Sequence, residues 1–201
     1  NSIYEVFDEN IACDIRLNDA LEHNLVVPFH YFGISDIKSI DYENIDLSKI
    51  DELAKLLNVN KRAEFIVEQM NFYSHIGNKR KVIGFCVSKE HASFMSEKFN
   101  ENKINSISLT SVDSIEKREE YIKKLEDEND SLEVIFTVDI FNEGVDIPSI
   151  NTVLFLRPTN SPIVFIQQLG RGLRKHKNKE FLTVLDFIGN HKKAYLIALA
   201  L

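Results

Sequence analysis

After residue 80 the chain alternates between two kinds of pattern. Five short runs are almost continuously apolar or β-branched: KVIGFCV (81–87), NSISL (105–109), LEVIFTV (132–138), TVLFLR (152–157) and FLTVLDF (181–187). Between and after them lie stretches with helical spacing or dense charge, KEHASFMSEKFNEN, SIEKREEYIKKLEDEN, SPIVFIQQLGRGLR and NHKKAYLIALAL. A strand that is apolar at nearly every position has to be covered on both faces. Such strands alternating with helices predict a mainly parallel sheet with helices above and below it, the doubly wound α/β class. Upstream, LSKIDELAKLL (47–57) and KRAEFIVEQMNFYSHI (61–76) place apolar residues three and four apart and predict two further helices. LNDALEHNLVVPFHYFGI (17–34) predicts a short helix and then an aromatic strand. Residues 1–45 read as a connector and edge segment, and 46–201 as the main domain.

A length of 201 residues supports one α/β domain with a real core plus an appendage. The hydrophobic fraction of 44% argues against disorder, and no apolar run approaches a bilayer span. The opening NSIYEVFDEN has no leader-like pattern and no initiator methionine, so the expectation is a cytoplasmic piece of something longer. Cys13 and Cys86 read as reduced, buried thiols, and the six histidines show no ligand spacing, so no metal site is expected. A net charge of −7 disfavours a general nucleic-acid coat, yet Arg171, Arg174, Lys175, Lys177 and Lys179 form a run without acids. The lysines of that run read as solubilising charges on a turn or as extra phosphate contacts. Arg118 reads as one partner of a structural salt bridge.

In doubly wound folds ligands collect where strands run into loops at their carboxyl ends. Those loops, SKEH, TSVDS, DIFNEGVDIPS and RPTNSP, are rich in hydroxyl, amide and charged groups, which predicts a polar working edge. In QQLGRGLR a helix would put Gln167, Arg171 and Arg174 on one face and Ile166, Leu169 and Leu173 on another. Gly170 and Gly172 each cost about 1 kcal/mol in a helix interior, an odd choice unless a backbone or ligand comes close. Two forked guanidiniums suit a phosphate-like anion; a basic helix end complementing its own dipole is the plainer alternative. FTVDIFNEGVDIPS sets Asp139, Glu143 and Asp146 around Gly144. It lacks the dense ligand series of a hard-cation loop and suits a carboxylate on a ribose hydroxyl, with ordinary loop acids as the alternative.

Together these stretches resemble the C-terminal motor lobe, RecA-like in fold, of superfamily-two helicases and translocases. FCVSKEHA (85–92), TVDIFNEGVDIP (137–148) and QQLGRGLR (167–174) look like that family's motifs four, five and six, in order, within about residues 80–190. GVDIP with GRGLR looks most like the branch of restriction motor subunits and repair helicases, and LNDALEHNLVVPFHYFGI like that branch's inter-lobe connector. The resemblance implies that Arg174 is the finger reaching the γ-phosphate of ATP, with Arg171 its companion and Gln167 close to the same phosphate. It implies that Gly144 and Asp146 sense the nucleotide, and that Ser88, Thr110, Ser111 and Thr137 touch the backbone of a bound strand. Two departures stand out: Thr137 lies one residue further from the glycine than is common, and Leu173 replaces a frequent glycine.

No G-x-x-x-x-G-K-[ST] stretch occurs, and no strand ends in D-E-x-[DH]. The resemblance therefore implies that ATP and Mg²⁺ are held mainly by an N-terminal RecA-like lobe of the same parent, which is the expected partner. The isolated chain is not expected to be a complete ATPase. The expected function is the C-terminal lobe of an ATP-dependent DNA helicase or translocase, with DNA ahead of RNA and no membrane. A non-catalytic docking module of the same fold is the competing reading. A dinucleotide-binding domain fits the sheet but lacks G-x-G-x-x-G after its first strand.

Overall fold

The computed structural model describes residues 17–37, 40, 49–73, 79–138, 147–158 and 162–187. Six strands, β1 (Phe29–Gly33), β2 (Val82–Phe85), β3 (Ser106–Leu109), β4 (Val134–Thr137), β5 (Thr152–Phe155) and β6 (Leu182–Asp186), form one sheet in the order β1-β6-β5-β2-β4-β3. Every pairing is parallel. The helices are α1 (Leu17–Glu22), α2 (Ile50–Leu57), α3 (Asn60–Phe72), α4 (Lys89–Glu101), α5 (Ile115–Glu126) and α6 (Pro162–Gly172). The doubly wound α/β expectation holds. The helix anticipated in 190–201 lies outside the described residues.

Strand alternation sorts the core into two layers. Ile83, Phe85, Ile135, Val153, Phe155, Leu182 and Val184 face one side, where they meet Leu125 of α5 and Leu169 of α6. Val82, Val134, Phe136, Leu154 and Leu185 face the other, against Ala63, Ile66 and Met70 of α3 and Met95 and Phe99 of α4. β2, β4, β5 and β6 are buried at every position, which explains why their sequence shows no polar alternation. Gly84 on β2 makes room for a ring: a Cβ there would sit 2.5 Å from Cδ1 of Phe136, which packs edge-on against Phe99 with centroids 4.8 Å apart.

β1 comes from the segment read as connector and closes the sheet edge beside β6. Tyr31 donates to Asp186 at 2.6 Å, and burial, with the charge of Asp186, pushes the phenol well above its ordinary range. Val27 and Ile34, flanking β1, are buried in the two core layers. Among the described residues no helix is long and apolar enough to cross a membrane.

Candidate functional site

At the carboxyl ends of β2, β3 and β4, three of the four residues expected on a nucleic-acid strand turn out to be buried. Ser88 is the N-cap of α4, its Oγ accepting from the His91 N–H at 3.1 Å. Thr110 opens a loop closed by Asp113, whose Oδ2 accepts from the Thr110 N–H at 2.7 Å. Thr137 is fully buried, and among the described residues its Oγ1 has no hydrogen-bond partner. Ser111 is exposed beside Val112. Among the described residues Arg118 is not paired with a carboxylate. Its guanidinium grips the carbonyls of Asp113 (2.8 Å) and Ser111 (3.0 Å), while Lys117 takes the Asp113 carboxylate at 2.6 Å. The loop that presents Ser111 is thus held from both sides.

Beneath the Ser88 loop lies a charged centre that sequence patterning does not announce. Arg62 of α3 is fully buried; its Nε donates to Asp36 at 2.7 Å, and an Nη donates to the Leu156 carbonyl at 3.5 Å. His91 is buried against it: Nδ1 accepts from the Val87 N–H at 3.3 Å, and Nε2 lies 3.5 Å from an Arg62 Nη. Burial, reinforced by the Arg62 charge, drives the ring's pKa from 6.5 down to about 3. The neighbouring Cys86 thiol is pushed up, also mainly by burial, and stays protonated.

A pH dependence follows. Between pH 6.5 and 3 the unfolded chain takes up a proton at His91 that the native chain refuses. The stability present above 6.5 is therefore lost as pH falls, at up to about 1.4 kcal/mol per pH unit. Urea unfolding of His91→Gln at pH 6.5 and pH 5 is expected to show a pH-linked loss smaller by about 2 kcal/mol than that of the parent. Equal losses in the two chains would contradict this assignment.

The third motif occupies a different part of the lobe. β5 and β6 are parallel neighbours joined by α6, so α6 runs back against the strands and ends near their amino edge. Its 11 residues span about 16 Å. The sequence suggested one polar working edge, but the crossover separates the Ser88–Thr110–Thr137 edge from the basic end of α6. α6 also stops at Gly172, so Arg174 lies past the helix rather than on its face with Gln167 and Arg171. Leu169 and Leu173 are buried as expected; Gln167 and Arg174 are exposed, and Arg171 is half-buried. The two glycines differ: a Cβ on Gly172 would meet Leu182 Cδ2 at 2.7 Å, whereas one on Gly170 would meet nothing within 4 Å among the described residues.

Two further residues here were missed by sequence reasoning. Gln168 is 2% exposed, and among the described residues neither its amide oxygen nor its nitrogen has a hydrogen-bond partner. Lys179, read as a solubilising charge or an extra phosphate contact, is buried with its ammonium on backbone carbonyls. An alternation of lysines with polar residues gives no hint of either. Gly144 and Asp146 lie outside the described residues, as do Asp139 and Glu143.

A six-stranded parallel sheet with helices on both faces, carrying a short basic segment after the β5–β6 crossover helix, defines a RecA-like lobe. The helicase conserved C-terminal domain family matches residues 49–176, and the chain belongs to that family, as the C-terminal lobe of a superfamily-two helicase. It is 30% identical over 188 residues to a Saccharomyces cerevisiae protein described as the ATP-dependent helicase IRC3, covering 93% of this chain and 25% of that protein. It is 33% identical over 135 residues to a protein described as helicase 22 of a Sulfolobus islandicus filamentous virus, covering 67% of this chain and 22% of that one. The chain thus spans about a quarter of the curated relatives it matches. Among solved structures, a fragment described as an HsdR subunit of a type I restriction enzyme from Vibrio vulnificus YJ016 superposes with a TM-score of 0.74. That match is 21% identical and covers 96% of this chain and 38% of the other. The type ISP restriction-modification enzyme LlaBIII superposes at 0.59 with 17% identity, over 92% of this chain and 13% of that one.

Proposed function

We propose that this chain is the C-terminal motor lobe of an ATP-dependent DNA helicase or translocase, acting against an N-terminal RecA-like lobe of the same parent. Residues 1–45 serve as the inter-lobe connector and edge, and 46–201 as the lobe. The observation that carries this reading is the division of labour in QQLGRGLR: Leu169 and Leu173 are sunk in the core while Arg174 is exposed and Arg171 half-buried at the end of α6. A guanidinium offers only donors, in a planar fork, and two of them at one helix end fit a phosphoryl group presented by a facing surface. The open space over Gly170 leaves room for that surface to approach.

Bound ATP with Mg²⁺ supplies the transferable phosphoryl group. Arg174 neutralises the charge that develops on it, and Arg171 supports Arg174 from the last helical turn. Gln167, exposed one turn earlier, reaches toward the same group, and the loop of Gly144 and Asp146 senses the nucleotide, with Asp146 partnering either the ribose or the finger. At the other end of the strands the exposed Ser111 hydroxyl contacts the backbone of the nucleic acid. Ser88, Thr110 and Thr137 shape that edge, and lobe closure brings their loops against the strand. DNA is placed ahead of RNA because GVDIP and GRGLR resemble the restriction and repair branch.

Contacts to phosphate and sugar are indifferent to sequence and weaken steeply with salt. Single-stranded DNA of any sequence is therefore expected to raise ATP hydrolysis by the full-length protein about tenfold or more. The DNA concentration needed should climb between 50 and 200 mM salt, and RNA should be the weaker activator. Hydrolysis indifferent to added nucleic acid would favour a docking module over a motor.

A further inference from the structure

Arg174 stands beyond the last residue of α6, so no helical ladder fixes its backbone, yet a finger is useful only if its origin is rigid. Helix ends leave their last carbonyls without intrahelical donors and carry the negative end of the macrodipole. Here three consecutive carbonyls are each satisfied from outside the helix. The Leu173 carbonyl accepts from the Val27 N–H at 2.8 Å, a bond from the segment leading into β1. The Gly172 carbonyl accepts from Lys179 Nζ, and so does that of Arg174 itself, at 3.1 Å. The same Nζ donates to the Pro148 carbonyl at 3.0 Å, at the exit of the TVDIFNEGVDIP segment. Three carbonyls meet the three N–H donors of one buried ammonium.

We infer that Lys179 is a positioning residue for hydrolysis: it fixes the backbone of Arg174 and ties it to the exit of the nucleotide-sensing loop. The inference rests on the finger reading of Arg174. Lys179 holds the backbone carbonyls of Pro148, Gly172 and Arg174. It acts by setting where the Arg174 side chain starts and by holding that backbone to Pro148. Its chemistry suits the task, because a flexible four-carbon stem lets one cation reach three carbonyls from three chain positions. An apolar side chain would leave the end of α6 and the Pro148 carbonyl short of donors in a buried place.

The test is steady-state ATP hydrolysis by the full-length protein carrying Lys179→Met, Arg174→Ala, or both. Lys179→Met is expected to lower kcat roughly 10- to 100-fold, the scale set by ångström-sized misplacement of a catalytic group, with KM for ATP little changed. In the Arg174→Ala background the same change should add less than about twofold, since nothing remains to position. Lys179→Gln, which keeps donors without the charge, is expected to fall in between and provides the readout if the methionine variant does not fold. Wild-type kcat in Lys179→Met, or in Lys179→Gln where only that variant folds, overturns the positioning role alone. So does a full additional loss in the Arg174→Ala background. Hydrolysis retained by Arg174→Ala by itself overturns the finger reading and the positioning role with it.

Discussion

Arg174→Ala in the full-length protein is expected to lower ATP hydrolysis by about 10³- to 10⁵-fold while nucleotide binding survives. That range corresponds to about 4–7 kcal/mol of barrier, more than a surface charge contributes to folding. The size follows from where the charge is used. A guanidinium brought into a closed, water-poor cleft meets phosphoryl charge that grows toward the transition state, so its removal costs kcat more than affinity. Because Arg174 is exposed on its own lobe, the variant is expected to keep the parent's unfolding midpoint, which separates lost chemistry from lost structure. Arg174→Lys should recover little, since an ammonium cannot reproduce the planar fork. Fluorescent-nucleotide titration beside a phosphate-release assay reads both halves of this expectation. Hydrolysis within tenfold of wild type would remove Arg174 from the role.

Arg62→Ala is expected to be the most damaging single change to stability among the charged residues described. Arg62 and Asp36 meet at 2.7 Å with side chains 0% and 4% exposed. Breaking one partner of such a pair leaves the other buried and uncompensated, at a cost of about 3–5 kcal/mol. For a domain of this size that is a fall in Tm of roughly 6–20 °C. Arg62→Met, which keeps much of the volume but not the charge, still takes the guanidinium from Asp36, which keeps the Ile37 N–H at 2.8 Å, and should recover only the packing part. The double variant Arg62→Met with Asp36→Asn should recover more than either single change, because no lone charge then stays inside. Urea denaturation of the four chains measures this coupling. Simple additivity would mean the pair is not the unit it is here taken to be. The functional interest lies in the address: Asp36 follows the edge strand β1, and Arg62 packs beside His91, whose ring takes the Val87 N–H next to the Ser88 loop.

The central strands were legible because burial on both faces leaves a signature that needs no tertiary knowledge, a run with no polar alternation. α3 and α4 were legible from apolar positions three and four apart. Strand order was not, since nothing in VIGF or VIFT says that β4 inserts between β2 and β3. The candidate site rests on three motifs read from sequence, and its structural supports were obscure there. Arg62, in KRAEF, looks like one more solvent-facing charge because its partner sits 26 residues upstream across β1. Lys179 looks like part of a soluble KHKNK turn because its acceptors are carbonyls, and a carbonyl carries no side-chain identity to read. The placement of Arg174 failed for a related reason. Helical spacing extended the α6 face to residue 174, whereas Gly172, packed onto Leu182, ends the helix two residues sooner. Ser88 and Thr137 show the limit of matching hydroxyls to motif positions: one is consumed by a helix cap and the other is shut inside.

The most direct measurement is a crystal structure of the full-length protein with ADP, Mg²⁺ and aluminium fluoride, a mimic of the phosphoryl group in flight. A guanidinium nitrogen of Arg174 is expected within roughly 3 Å of the fluoride, across the cleft from the other lobe's phosphate cradle. A closed complex in which Arg174 stays on its own lobe, with some other cation at the fluoride, would contradict the account.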